Sequence, residues 1–147
     1  MQTIDYQQLV GAIGDAVVVC DAEGAIVVWN DAAVRMFGFT REDALGKSLD
    51  LIIPERQRQR HWDGYNKSMA TGETRYGSDV LRVPALHKEG RTLSIAFTVA
   101  MLYDAERKVT AIVAVVRDET VRWGEERQMR TRLAQLEAAA VSVGTSI

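Results

Sequence analysis

The chain has 147 residues, 47% hydrophobic and 26% charged, with 18 basic against 20 acidic side chains and a net charge of −2. That length supports one domain with a real core, and that balance excludes wholesale disorder and a domain-wide electrostatic pull toward nucleic acid or anionic lipid. One cysteine rules out an intrachain disulfide, no run is apolar enough to span a bilayer, and MQTIDYQQ lacks a signal-peptide pattern, so a cytoplasmic protein is expected.

Residues 3–13, TIDYQQLVGAI, read as a short helix with Ile4, Leu9 and Ile13 loosely on one face. Two β-rich runs follow, 16–20 and 25–29. Between them stands DAEG, where Asp21 and Gly24 supply turn chemistry, so a hairpin is predicted. Asn30 is an N-cap for DAAVRMFG, and TRED at 40–43 matches a capping box with Asp43 in place of Glu. Beyond Pro54 a further helix begins. It carries His61 together with Trp62, Tyr65 and Met69.

The second half reads as three strands, 78–86, 92–102 and 109–117, separated by HKEG and YDAER turns. The middle strand alternates, with Leu93, Ile95, Phe97, Val99 and Met101 on one face and small or weakly polar residues on the other. Pro84 implies an edge strand or a bulge. From Glu119 the chain becomes charged and helix-favouring. Met129, Leu133, Leu136 and Ala140 recur at the 4-3-4 spacing of a coiled-coil seam, or of an amphipathic helix on its own domain. Hairpin-connected strands around segregated helices predict an α+β fold with one antiparallel sheet, whose inner face and short helices enclose a pocket. The expected divisions are an N-terminal cap helix at 1–14, a core at 15–118, a signalling or dimerisation helix at 119–141 and a frayed tail at 142–147.

Several phrases in this order resemble the PAS domain family of sensory modules: DAVVVCDAEGAIVVWNDAAVRMFGFTREDALGKSLDLIIP, MATGE, LHKEGRTLSIAFTVAM and VRDET. The resemblance spans roughly residues 5–120. It implies a five-stranded antiparallel sheet of order 2-1-5-4-3, with helices forming one wall of a ligand cavity. RDET is similar to the family's terminal Asp-x-Thr motif. Asp118 and Thr120 would then relay signal into the last helix, with Glu119 in place of the usual Ile or Val. Residues 54–73 are most similar to haem-binding oxygen sensors of the FixL type. That likeness implies His61 as the iron ligand of a haem b, since it stands eight residues before Met69, as in those sensors. The oxygen-gating arginine of those sensors falls at Leu81, with Arg82 next to it on the opposite face.

Read from the residues alone, His61 is a haem ligand, a loop-bonding histidine or an exposed one. Tyr65 fits a slot beside it or ordinary core packing. The likeness to haem sensors would make Leu81, Phe97 and Val99 an apolar distal wall, whereas Met101 reads as an axial thioether or core filling. Arg56, Arg58, Arg60 and Lys67 form a solvated face, or pair, with Arg75, with propionates or another anionic ligand. His87 is expected in solvent and Cys20 as a small buried apolar residue. No NCRF-like phrase is present, which argues against flavin photochemistry. No catalytic triad, phosphate loop or metal cluster points to an enzyme. The expected function is a sensory module that binds haem or another small ligand and relays its state through the terminal helix. The expected assembly is a homodimer acting on a downstream signalling protein. The rivals are a ligand-free dimerisation module, a binder of an apolar organic molecule and a haem redox protein.

Overall fold

The computed structural model describes residues 2–73 and 79–145. Helix α1 (Tyr6–Ala12) is shorter than the predicted 3–13, because the Asp5 carboxylate caps it by accepting from Gln8 N at 3.1 Å. Strands β1 (Ala16–Asp21) and β2 (Ile26–Trp29) form the expected hairpin. Its turn is closed by Asp21 Oδ1, which accepts from Glu23 N and Ala25 N, both at 3.0 Å. Gly24 takes φ +83°, the region a glycine enters without penalty.

Helix α2 (Asp31–Phe37) starts at Asn30, whose side chain accepts from Ala33 N at 3.0 Å. Helix α3 (Arg41–Ala44) starts at Thr40, whose hydroxyl accepts from Asp43 N. Two 3-10 turns, Leu49–Ile52 and Glu55–Gln57, lead into α4 (Arg58–Thr71), which Gly72 closes in the left-handed conformation. Gly64 sits in α4 without interrupting it.

Strands β3 (Leu81–Leu86), β4 (Thr92–Tyr103) and β5 (Val109–Asp118) complete one antiparallel sheet of order β2-β1-β5-β4-β3. Pro84 lies in the edge strand β3, where its missing donor breaks no ladder. Helix α5 (Thr120–Thr145) runs on through most of the segment expected to be a frayed tail.

Residues paired across antiparallel strands share a face. The register therefore lines up Ala16 with Val116, Phe97 with Val116 and Leu81 with Phe97, then Val18 with Ala114 and Val99, and Cys20 with Ile112 and Met101. This inner face meets the short helices. Trp29, Phe37 and Ile26 are fully buried there, with the Trp29 and Phe37 rings 5.4 Å apart.

Candidate functional site

The helix bearing His61 is pinned at its inward face. Trp62 Nε1 donates to Asp50 Oδ1 at 2.6 Å, and the Tyr65 hydroxyl donates to the carbonyl of Asp21. The Trp62 ring lies directly over Gly24, where a Cβ would come within 2.4 Å of it. Arg58 Nε donates to Ile53 O at 3.0 Å. Arg58 therefore ties α4 to the preceding turn and is no free member of the basic face, whereas Arg56, Arg60 and Lys67 are exposed.

His61 sits on the same side of α4. Its ring is 4.6 Å from that of Trp62 and 5.8 Å from that of Tyr65. Its Nδ1 is buried and has no hydrogen-bond partner. Burial pushes the imidazole pKa below its ordinary value, against an opposing pull from Asp50. His61 is thus held as the neutral base, the protonation state a metal ligand requires. Burial likewise pushes the Tyr65 phenol up and the Cys20 thiol up to about 12, so both stay protonated. Cys20 is buried in β1, as expected of a small apolar residue.

The opposite wall is the inner sheet face. Leu81 and Phe97 stand side by side, and Val99 and Met101 continue the row along β4. All four are only partly covered, as are Ile112 and Ala114 beside them, while Leu93, Ile95 and Val116 further along are buried. The helices therefore roof one end of the face and leave an apolar stretch half open at the other. Two open grooves flank the helix without including His61 or that row. One, of about 530 Å³, is lined by Met69, Gly72, Arg107 and Val109; the other, of about 730 Å³, by Pro54, Arg56, Pro84 and Leu86. Arg75 lies outside the described residues.

At the far end of β5 the Asp-x-Thr residues form one connected cluster. Thr120 donates to Asp118 Oδ1 from its backbone N–H at 2.9 Å and from its hydroxyl at 2.5 Å. The same hydroxyl oxygen accepts from Ser94 N at 3.0 Å. Glu119 N donates to Ser94 O at 2.8 Å, and its carboxylate pairs with Arg82 and Arg122, both at 3.7 Å. The start of α5 is thereby tied to β3, β4 and β5.

His87 corrects the sequence reading. It is 8% exposed rather than solvated. Its Nδ1 accepts from Glu89 N at 3.0 Å, and its ring packs on Gly38, 2.7 Å from where a Cβ would stand. The HKEG turn folds onto the end of α2, with Lys88 N donating to Phe37 O at 2.9 Å. Asn30 does more than cap α2. Its amide also accepts from Val17 N at 2.9 Å and donates to Val10 O and Asp15 O. Its place directly after a strand was the one signal available.

Among the described residues no helix is long and apolar enough to cross a membrane. The chain is 27% identical over 138 residues to the sensor protein FixL of Bradyrhizobium diazoefficiens, covering 93% of this chain and 26% of that protein. It is 26% identical over 124 residues to the oxygen sensor protein DosP of Escherichia coli K12, covering 84% and 15%. It thus spans about a quarter or less of the length of these curated relatives. Among solved structures, the PAS domain of a Colwellia psychrerythraea protein superposes with a TM-score of 0.68 at 20% identity, over 78% of this chain and 94% of that one. Such identity speaks for the fold alone. Residues 4–118 match the PAS fold family, and with its sheet order and terminal helix the chain belongs to that family, as a PAS sensory and signalling module.

Proposed function

We propose that this module senses a small ligand held between α4 and the inner sheet face, and that the ligand is haem b with His61 on its iron. The observation that carries this reading is the buried, partnerless Nδ1 of His61 on a helix whose neighbouring Trp62 and Tyr65 are both hydrogen-bonded in place. A buried polar atom left without a partner costs about 1–3 kcal/mol, so its retention calls for a use. The half-covered row of Leu81, Phe97, Val99 and Met101 supplies the apolar wall opposite. The likeness to the sensor protein FixL and to the oxygen sensor protein DosP supports the same ligand class.

Haem, when bound, would supply an iron able to bind a diatomic gas. The chain's own part would be to present a neutral imidazole, to exclude water with Trp62 and Tyr65, and to offer at Leu81 a wall without a hydrogen-bond donor. A polar bound gas gains little from such a wall, so weak discrimination between dioxygen and carbon monoxide is expected. Arg75 would pair with the propionates. Asp118 and Thr120 would pass a shift of the sheet to α5, and two copies joined through α5 would act on a downstream signalling protein in the cytoplasm.

Hemin titration followed at visible wavelengths tests this. A sharp Soret band at one haem per chain, lost or shifted in His61→Ala, is the expected result. A flat spectrum without saturable uptake overturns haem. Native mass spectrometry then separates the rivals, since an apolar ligand adds mass and a ligand-free interaction module adds none.

A further inference from the structure

The chain closes its hairpins on one repeated turn. At Asp21–Gly24, His87–Gly90 and Asp104–Arg107 the fourth residue's N–H donates to the first residue's carbonyl, at 3.0, 2.9 and 3.0 Å. The first residue's N–H donates to the carbonyl just past the turn, at 2.9 Å in each. Two of these turns are spelled almost alike, DAEG at 21–24 and DAER at 104–107. In both, the aspartate Oδ1 accepts from the N–H groups two and four residues on. The fourth position of such a turn is left-handed and favours glycine. Gly24 and Gly90 fill it at φ +83° and +89°. The third turn instead puts Arg107 there at φ +65°, the one non-glycine residue with a positive φ among the described residues. A residue with a Cβ is strained in that region, and an observed strain of this kind points to a use for the side chain.

That side chain lines the groove of about 530 Å³ between the hairpin tip and the end of α4. Lys108 lines it too, the apolar wall is Met69, Ala70 and Val109, and no carboxylate borders it. Arg107 and Lys108 are exposed and make no ion pair among the described residues. The last carbonyls of α4 do not compete for them. Lys67 O accepts from Thr71 Oγ1 at 2.9 Å, Ser68 O from Gly72 N at 2.9 Å, and Gly72 O from the Tyr103 hydroxyl at 3.0 Å.

We propose that this groove binds an amphipathic organic acid, with its carboxylate on Arg107 and Lys108 and its apolar body along Met69, Ala70 and Val109. Guanidinium and carboxylate match in shape as well as charge. A bare small anion would satisfy the cations and leave the apolar wall wet, and a neutral alcohol would do the reverse. The bound acid would bridge α4 to the β4–β5 hairpin, which the Tyr103–Gly72 bond already joins. It would give the module a second input that involves neither His61 nor the row from Leu81 to Met101, so the site stands whether or not haem is bound.

Isothermal titration of the full chain with octanoate tests the site, with acetate and octanol as its charge-only and body-only halves. One octanoate per chain is expected, with acetate and octanol each at least about tenfold weaker. Arg107→Gln and Lys108→Gln should each weaken octanoate at least about tenfold. Arg107→Gly should weaken it as much and at the same time raise the thermal midpoint of the free protein, because glycine relieves the turn. A purely structural arginine would not show that exchange of binding for stability. Octanol binding as tightly as octanoate, affinity unmoved by the two glutamine variants, or no saturable uptake overturns the site. An Arg107→Gly midpoint at or below that of the wild type shows that the turn holds no strain for the side chain to offset, and removes the ground for assigning it a ligand.

Discussion

At the scale of single residues, three positions carry disproportionate weight. Asn30, 2% exposed, joins α1, β1 and α2 through four hydrogen bonds. Asn30→Ala leaves those backbone groups without partners, and a loss of about 2–4 kcal/mol is expected in urea unfolding. Gly24 combines a positive φ with the Trp62 ring at 2.4 Å from any added Cβ. Gly24→Ala should therefore both destabilise the domain and shift Trp62 fluorescence, whereas Gly64→Ala, which meets nothing within 4 Å, should not destabilise it. His61 has a folded pKa below its ordinary 6.5. The unfolded chain then takes up the proton first, so stability is complete above about 6.5 and declines as the pH falls toward the depressed folded value. The urea midpoint should drop between pH 7.5 and 5.5, and His61→Leu should reduce that drop. An unchanged slope in the variant would mean that His61 is not the group held neutral.

At the scale of elements, the hairpin, the caps at Asn30 and Thr40, and the three later strands were legible because each is encoded within a few neighbouring residues. His87 was misread because its burial comes from α2, about fifty residues earlier in the chain, folding Gly38 beneath it. Arg58, read as part of a basic face, keeps a surface-exposed side chain but also donates to the Ile53 carbonyl, an acceptor presented by the bend of the 3-10 turns and so not visible in the local sequence. The junction of β5 and α5 turns on one hydroxyl. Thr120→Val removes the acceptor of Ser94 N and one donor to Asp118. Hydrogen exchange should quicken at Ser94 and in the first turn of α5, with a global cost of about 1–2 kcal/mol. Unchanged exchange there would show that the helix is not held to the sheet by this residue.

For the whole molecule, the core and α5 are nearly independent in energy, because α5 buries little beyond its first turn. Truncation after residue 128 should leave the core folded with a similar thermal midpoint in dilute solution, while removing any concentration dependence of that midpoint. A truncated chain that fails to fold would show that α5 is part of the core. The strand pattern, the turn chemistry, the family and the apolar row of α5 are all readable from residue order, since each is a periodicity or a local phrase. The surroundings of its histidines emerge only once the chain is folded. Whether an imidazole lies under a glycine, as His87 does, or keeps an unpartnered nitrogen against two aromatic rings, as His61 does, depends on residues brought together from distant parts of the chain.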